Sequence, residues 1–282
     1  MNRSRSLMMR VAMICAVGSS FPAFGGEKLV SNDDTLVFMG DSITEFGLRR
    51  SHGYVNLVVK GLAANGISPK WEGVGIQGEK SGDMLKRFDR DVVAKKATVV
   101  TISAGVNDIH QKKSFESFME NERAMVAKTK AMGAKTVLLS PTTAGFGEPD
   151  TDELRRFVGG VKGLAREEGL AYAQTYEQFR DMLNDVDSPA LTLLNNGGLK
   201  GTCDFVHMSP AGDRRMARAT LRAFGLDEEE MAKAETAWNE DASLVPLVRR
   251  DGDSDTFSVS LTADEEKSVA EAQAVADERV RF

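Results

Sequence analysis

Ser42 closes the run Val37-Phe38-Met39-Gly40-Asp41-Ser42, in which an apolar stretch stops abruptly at a glycine. Leu36 to Met39 has the composition of a buried strand, so the serine is expected at the tip of a strand-to-loop turn, where α/β hydrolases present a nucleophile. A serine hydroxyl is a weak nucleophile by itself. Acyl transfer also needs a base, a carboxylate to orient it, and donors for the oxygen on which negative charge develops. Residue types suited to each role follow in order. Gly73-Val74-Gly75-Ile76-Gln77-Gly78 can bring backbone N–H groups close to a ligand. Ala104-Gly105-Val106-Asn107-Asp108 offers an asparagine side chain as a donor, and Asp204-Phe205-Val206-His207 sets a carboxylate three residues before an imidazole. One turning segment can thus deliver an oriented base. The other two histidines, His52 and His110, lie near Ser42 and Asn107 in sequence and stay open as binding groups or rival bases.

Short apolar, β-branched runs alternate with longer helical patterns and would carry these residues. Strands are expected at Leu36–Met39, Lys70–Val74, Ala97–Ile102, Lys135–Leu139 and Leu170–Thr175. Helices are expected at Tyr54–Ala64, Ser114–Met132, Asp152–Glu168 and Ser209–Phe224, with Gly66, Gly133, Gly169 and Gly225 placed to end them. Such alternation implies a parallel sheet covered on both faces, which binds ligands at the carboxyl ends of its strands. Three of the four chemistry-bearing segments directly follow predicted strands.

The ends of the chain read differently. Arg3, Arg5 and Arg10, the apolar run Val11 to Val17 and the small-x-small triplet Ala23-Phe24-Gly25 read as a cleaved export signal over residues 1–25, too short in its apolar part to span a bilayer. Met13-Ile14 before Cys15 lacks the small residue of a lipoprotein cleavage site, so no lipid anchor is expected. Removing the signal takes the net charge from −6 to −9, which disfavours nucleic acid or an anionic membrane as partner. Cys203 is then the only cysteine, reads as a small buried filler, and leaves no internal disulfide. Residues 26–225 make up the α/β unit. Residues 226–282 form an acidic, mainly helical appendage, with a helix opening at Asp227-Glu228-Glu229-Glu230 and running to about Trp238, a polar loop over Arg249–Ser254, and a capping box at Thr262-Ala263-Asp264-Glu265.

Gly40-Asp41-Ser42-Ile43-Thr44, Gly75-Ile76-Gln77-Gly78, Gly105-Val106-Asn107-Asp108 and Asp204-x-x-His207 resemble, in order, the four blocks of the SGNH hydrolases, or GDSL-type esterases. The resemblance covers roughly residues 35 to 224, and its third block is similar to that of the exported carbohydrate-esterase branch. It implies a three-layer α/β/α, flavodoxin-like fold with about five parallel strands. It also implies an acyl-enzyme on Ser42, with His207 as base, Asp204 orienting it, and Ser42, Gly78 and Asn107 as oxyanion donors. Two positions depart from the family pattern: Gly73 stands where an asparagine is frequent and Lys80 where a threonine is. The expected substrate is a short acyl ester, chiefly acetyl, on a small molecule or glycan. A lipid or lysophospholipid ester and a non-catalytic carbohydrate-binding role are the alternatives. No cofactor is expected, and no metal-ligand spacing is present. Asp41 reads as a turn-supporting hydrogen-bonding residue, and Glu45, Arg49 and Arg50 as rim residues of the cleft.

Overall fold

The structure is a computed structural model that describes residues 28–143, 150–183, 206–208, 210–241, 247–250 and 257–260. Asp204, Cys203 and the expected signal and capping-box segments lie outside these residues. Five strands, β1 (Thr35–Gly40), β2 (Lys70–Gly75), β3 (Val99–Ser103), β4 (Lys135–Leu139) and β5 (Ala171–Ala173), form one sheet in the order β2-β1-β3-β4-β5, and every pairing is parallel. The chain steps from β1 out to β2 and then crosses to the other side of β1 to lay down β3. Loops leaving β1 and β3 therefore diverge, opening a crevice at their carboxyl ends.

Alternation along the central strands decides which helices cover which face. Leu36, Phe38, Val99, Val137 and Leu139 face one way, against α2 (Tyr54–Ala63), α8 (Pro210–Ala223) and α9 (Glu228–Glu240). Val37, Met39, Val100, Ile102 and Leu138 face the other, against α3 (Ser81–Phe88), α5 (Phe115–Ala131) and α6 (Asp152–Glu168). Both sets are buried, as a parallel sheet between helix layers requires. Thr151 accepts from the Leu154 N–H at 3.1 Å to start α6, and Gly169 ends it at φ +65°, as its place in the sequence predicts.

Three local expectations are corrected. Ser42 does not sit in a loop; it is the first residue of α1 (Ser42–Arg49), because the Asp41 carboxylate caps a helix by accepting from the Ile43 N–H at 2.9 Å. The last strand stops at Ala173, and Thr175 opens α7 (Thr175–Leu183), where the Thr175 hydroxyl bonds to the Ser140 carbonyl instead of extending the ladder. Arg249 and Arg250, expected in a loop, belong to strand β6 (Leu247–Arg250), which pairs antiparallel with β7 (Phe257–Ser260). The remaining elements are α4 (Val106–His110) and a five-residue π-helical turn over Asp89–Val93 that continues α3.

The helix expected after Gly225 is present as α9, capped by Asp227. It does more than decorate the surface: Met231, Ala234 and Trp238 join the core over α2, and the Trp238 indole N–H donates to the Leu57 carbonyl at 2.9 Å. Replacing a fully buried tryptophan removes about 3–5 kcal/mol of packing. Trp238→Ala is therefore expected to lower the chemical-denaturation stability of the whole unit by that amount while leaving turnover per folded molecule unchanged.

Candidate active site

β1 delivers its last residue, Gly40, directly beneath the first turn of α1, and Ser42 follows at the positive end of that helix. Two strand ends must pass close to α1 for this to happen. A Cβ on Gly75, the end of β2, would lie 2.3 Å from the Glu45 backbone nitrogen and 2.7 Å from the Asp41 carbonyl oxygen, so only glycine fits. The Ser42 N–H, at the first helical position, is one that a helix leaves without an intrahelical acceptor.

His207 arrives from the segment before α8. Its Nε2 lies 2.9 Å from Ser42 Oγ, joining residues 165 apart in sequence. The imidazole packs against the Phe46 ring at 4.8 Å, and the Arg50 guanidinium also stacks on Phe46, at 4.7 Å, while donating to the Met208 carbonyl at 3.2 Å. Ser42, Phe46 and Arg50 lie four residues apart on successive turns, so one short helix holds both the serine and the segment bearing the imidazole. Asp204 is outside the described residues. His52 and His110 are not the groups at Ser42; His110 is exposed at the end of α4.

Gly78 and Asn107 converge from the next two strands. Gly78 sits at φ +78° with nothing within 4 Å of where a Cβ would stand, so its backbone faces open space. Asn107, on α4 after β3, places Nδ2 3.0 Å from the Glu79 carbonyl oxygen and 3.3 Å from Asp41 Oδ2. The two loops are laced together: the Gln111 amide donates to the Gly78 carbonyl at 3.1 Å, and buried Asp108 accepts from the Ser81 N–H at 2.9 Å and its hydroxyl at 2.6 Å. Glu45, expected at the rim, accepts from the Gln77 N–H at 2.7 Å, tying α1 to the glycine loop. Thus Ser42, Gly78, Asn107 and His207 share one edge of the sheet, an arrangement competent for nucleophilic acyl transfer. Sequence reasoning missed Phe46, Glu79 and Arg87. An arginine preceding a phenylalanine within an otherwise amphipathic helix was the available signal for the last.

Residues 38–215 match the GDSL-like lipase/acylhydrolase family. An acetylxylan esterase from Geobacillus stearothermophilus is 28% identical over 225 residues, 70% of this chain and 97% of that one. Esterase TesA from Pseudomonas aeruginosa is 34% identical over 106 residues, 37% of this chain and 53% of its own length. A crystal structure of the Geobacillus acetylxylan esterase superposes with a TM-score of 0.60 at 26% identity, covering 71% of this chain and 98% of the other. Solved catalytic mutants of that enzyme replace a serine, an aspartate and a histidine. The chain belongs to the GDSL-like lipase/acylhydrolase family, the SGNH hydrolases, and is a serine carboxylic ester hydrolase.

Two carboxyl groups around the site are held off their ordinary values by burial. Asp41 is raised to about 6 because desolvation outweighs its hydrogen bond from Ile43 and the pull of His207. Glu122, on α5, is raised to about 8 by burial, with the Asp108 charge adding to the effect, and its Oε1 has no hydrogen-bond partner among the described residues. The folded protein thus keeps the Glu122 proton between about pH 4.5 and 8, where the unfolded chain has lost it, so this group's contribution to stability falls as pH rises through that window. Glu122→Gln should remove that fall. Melting curves should show the variant at least about 3 °C above the parent at pH 9, equivalent to about 1 kcal/mol, with little difference at pH 4.5.

Proposed function

We propose that this protein is an exported esterase that removes short acyl groups, chiefly acetyl, from carbohydrate through an acyl-enzyme on Ser42. The observation that carries the reading is the 2.9 Å contact between His207 Nε2 and Ser42 Oγ at the N-terminus of α1. In this scheme His207 accepts the Ser42 proton as Oγ attacks the ester carbonyl. Negative charge gathers on the carbonyl oxygen, and the Ser42 and Gly78 N–H groups receive it together with the Asn107 N–H now shared with Asp41. Preorganised donors of this kind are each worth about 3 kcal/mol in the transition state. His207 then protonates the departing sugar hydroxyl, and water repeats the sequence on the acyl-enzyme. Asp204, three residues before His207, is the residue assigned to the second imidazole nitrogen.

The acetyl-carbohydrate assignment is supported by the similarity to an acetylxylan esterase along nearly that enzyme's whole length. Export is supported by the basic, apolar and small-residue regions of residues 1–25, and no helix among the described residues is long and apolar enough to cross a membrane. Cleavage after Gly25 predicts a mature protein whose N-terminal sequencing begins at Gly26; a product beginning at Met1 would overturn the export assignment.

Acetate release from acetylated xylo-oligosaccharides and from a nitrophenyl acetate is the direct assay. Ser42→Ala and His207→Ala should each lose at least about a thousandfold in turnover, and the double variant should lose no more, because the two act as one unit. Asn107→Ala should lose about a hundred- to a thousandfold and remain measurable, with Asp204→Asn between the two. Undiminished hydrolysis by Ser42→Ala would refute the mechanism. Glycan binding without any ester cleavage would refute catalysis itself.

A further inference from the structure

Arg87 is the one buried cation among the described residues, and its guanidinium is spread over four acceptors. Nη2 donates to the Gly40 carbonyl at 3.0 Å, Nη1 to the Val74 carbonyl at 2.7 Å and to Asp91 Oδ2 at 2.8 Å, and Nε to Glu79 Oε2 at 2.5 Å. Gly40 is the last residue of β1, two before Ser42. Val74 lies at the end of β2, where the glycine loop begins. Glu79 directly follows Gly78, and its carbonyl is the oxygen that holds Asn107 Nδ2 at 3.0 Å. One planar cation therefore touches, at one remove, the backbone or side chain that fixes each of the three oxyanion donors.

Burying a cation is costly, and a well-packed apolar side chain in the same space is often equally stable. A residue kept there in spite of that cost needs another justification. Arginine alone offers five N–H donors in a rigid fork, able to bond two carbonyls and two carboxylates at once. The π-helical turn after α3 carries Asp91, which completes the set. We infer that Arg87, through Glu79, is a positioning residue that sets the spacing between the N–H groups of Ser42 and Gly78 and the Asn107 amide. It touches no reacting atom; its effect is on where the developing oxyanion finds its donors. The inference rests on the proposed assignment of those donors.

A small error in donor placement weakens the transition state more than the bound ester, so the effect belongs in kcat. Arg87→Lys, Arg87→Met and Glu79→Ala should be assayed on a nitrophenyl acetate, with rates normalised to folded protein by circular dichroism and to reactive serine by fluorophosphonate titration. Arg87→Met should lose about tenfold to a hundredfold in kcat with KM within about twofold. Lysine, a point donor without the fork, should not restore the loss. Glu79→Ala, at a partly exposed position, should lose about tenfold and keeps the test available if Arg87→Met fails to fold. Combined with Asn107→Ala, the Glu79→Ala loss should shrink, because both act on one donor set. Folded Arg87→Lys and Glu79→Ala proteins with wild-type kcat, beside an inactive Ser42→Ala, would overturn the inference alone. Wild-type turnover by Ser42→Ala would overturn the donor assignment and the inference with it.

Discussion

The hydrogen bond between His207 and Ser42 is the constraint on which the rest of the arrangement depends. It must hold at 2.9 Å across 165 residues of chain, because a serine hydroxyl has no useful basicity or acidity of its own near neutral pH. α1 supplies the means. Its first residue is Ser42, its second turn carries Phe46 against the imidazole, and Arg50 beyond its end grips the Met208 carbonyl. Ser42 and the imidazole segment are thereby referred to the same short helix, and errors in the position of one are shared by the other.

Beneath the cleft the protein accepts a thermodynamic cost. Asp41 and Glu122 are carboxyl groups buried deeply enough to be raised to about 6 and about 8, and Arg87 is a cation removed from water. Apolar replacements could pack as well. What the polar groups provide is direction: Asp108 fixes the start of α3 through Ser81, Glu45 fixes Gln77, and the carbonyl of Glu79 fixes Asn107. Loops that would otherwise sample many conformations meet in one, and a site that stabilises developing charge needs donors already in place. The glycine at the end of β2 belongs to the same design, since any side chain there would push α1 away from the sheet.

Much of this was legible in the sequence, for identifiable reasons. The central strands are β-branched runs that stop at glycine or proline, and α6 carries both its threonine cap and its terminal glycine, so period and punctuation agree. Motif order singles out Ser42, Gly78, Asn107 and His207, and the structure brings His207 Nε2 within 2.9 Å of Ser42 Oγ. The start of α1 was not legible. Asp41 was recognised as a hydrogen-bonding turn residue, but Gly-Asp-Ser serves a loop and a helix cap equally well, and only the packing of β2 against it selects the helix. Glu79, Arg87 and Glu122 escaped for a related cause. Each is a charged residue of a type usually solvated, and the burial of Arg87 and Glu122 and the pairing of Glu79 with Arg87 depend on how β1, β2 and α5 come together, which local pattern does not reveal.

The most direct measurement is to expose the purified protein to a fluorophosphonate and map the modified peptide by mass spectrometry, in the parent and in His207→Ala. A single phosphonyl group on Ser42 in the parent, formed far more slowly when His207 is replaced, is the predicted result. Modification at any other serine, or labelling of Ser42 at an unchanged rate without His207, would contradict the assignment of nucleophile and base.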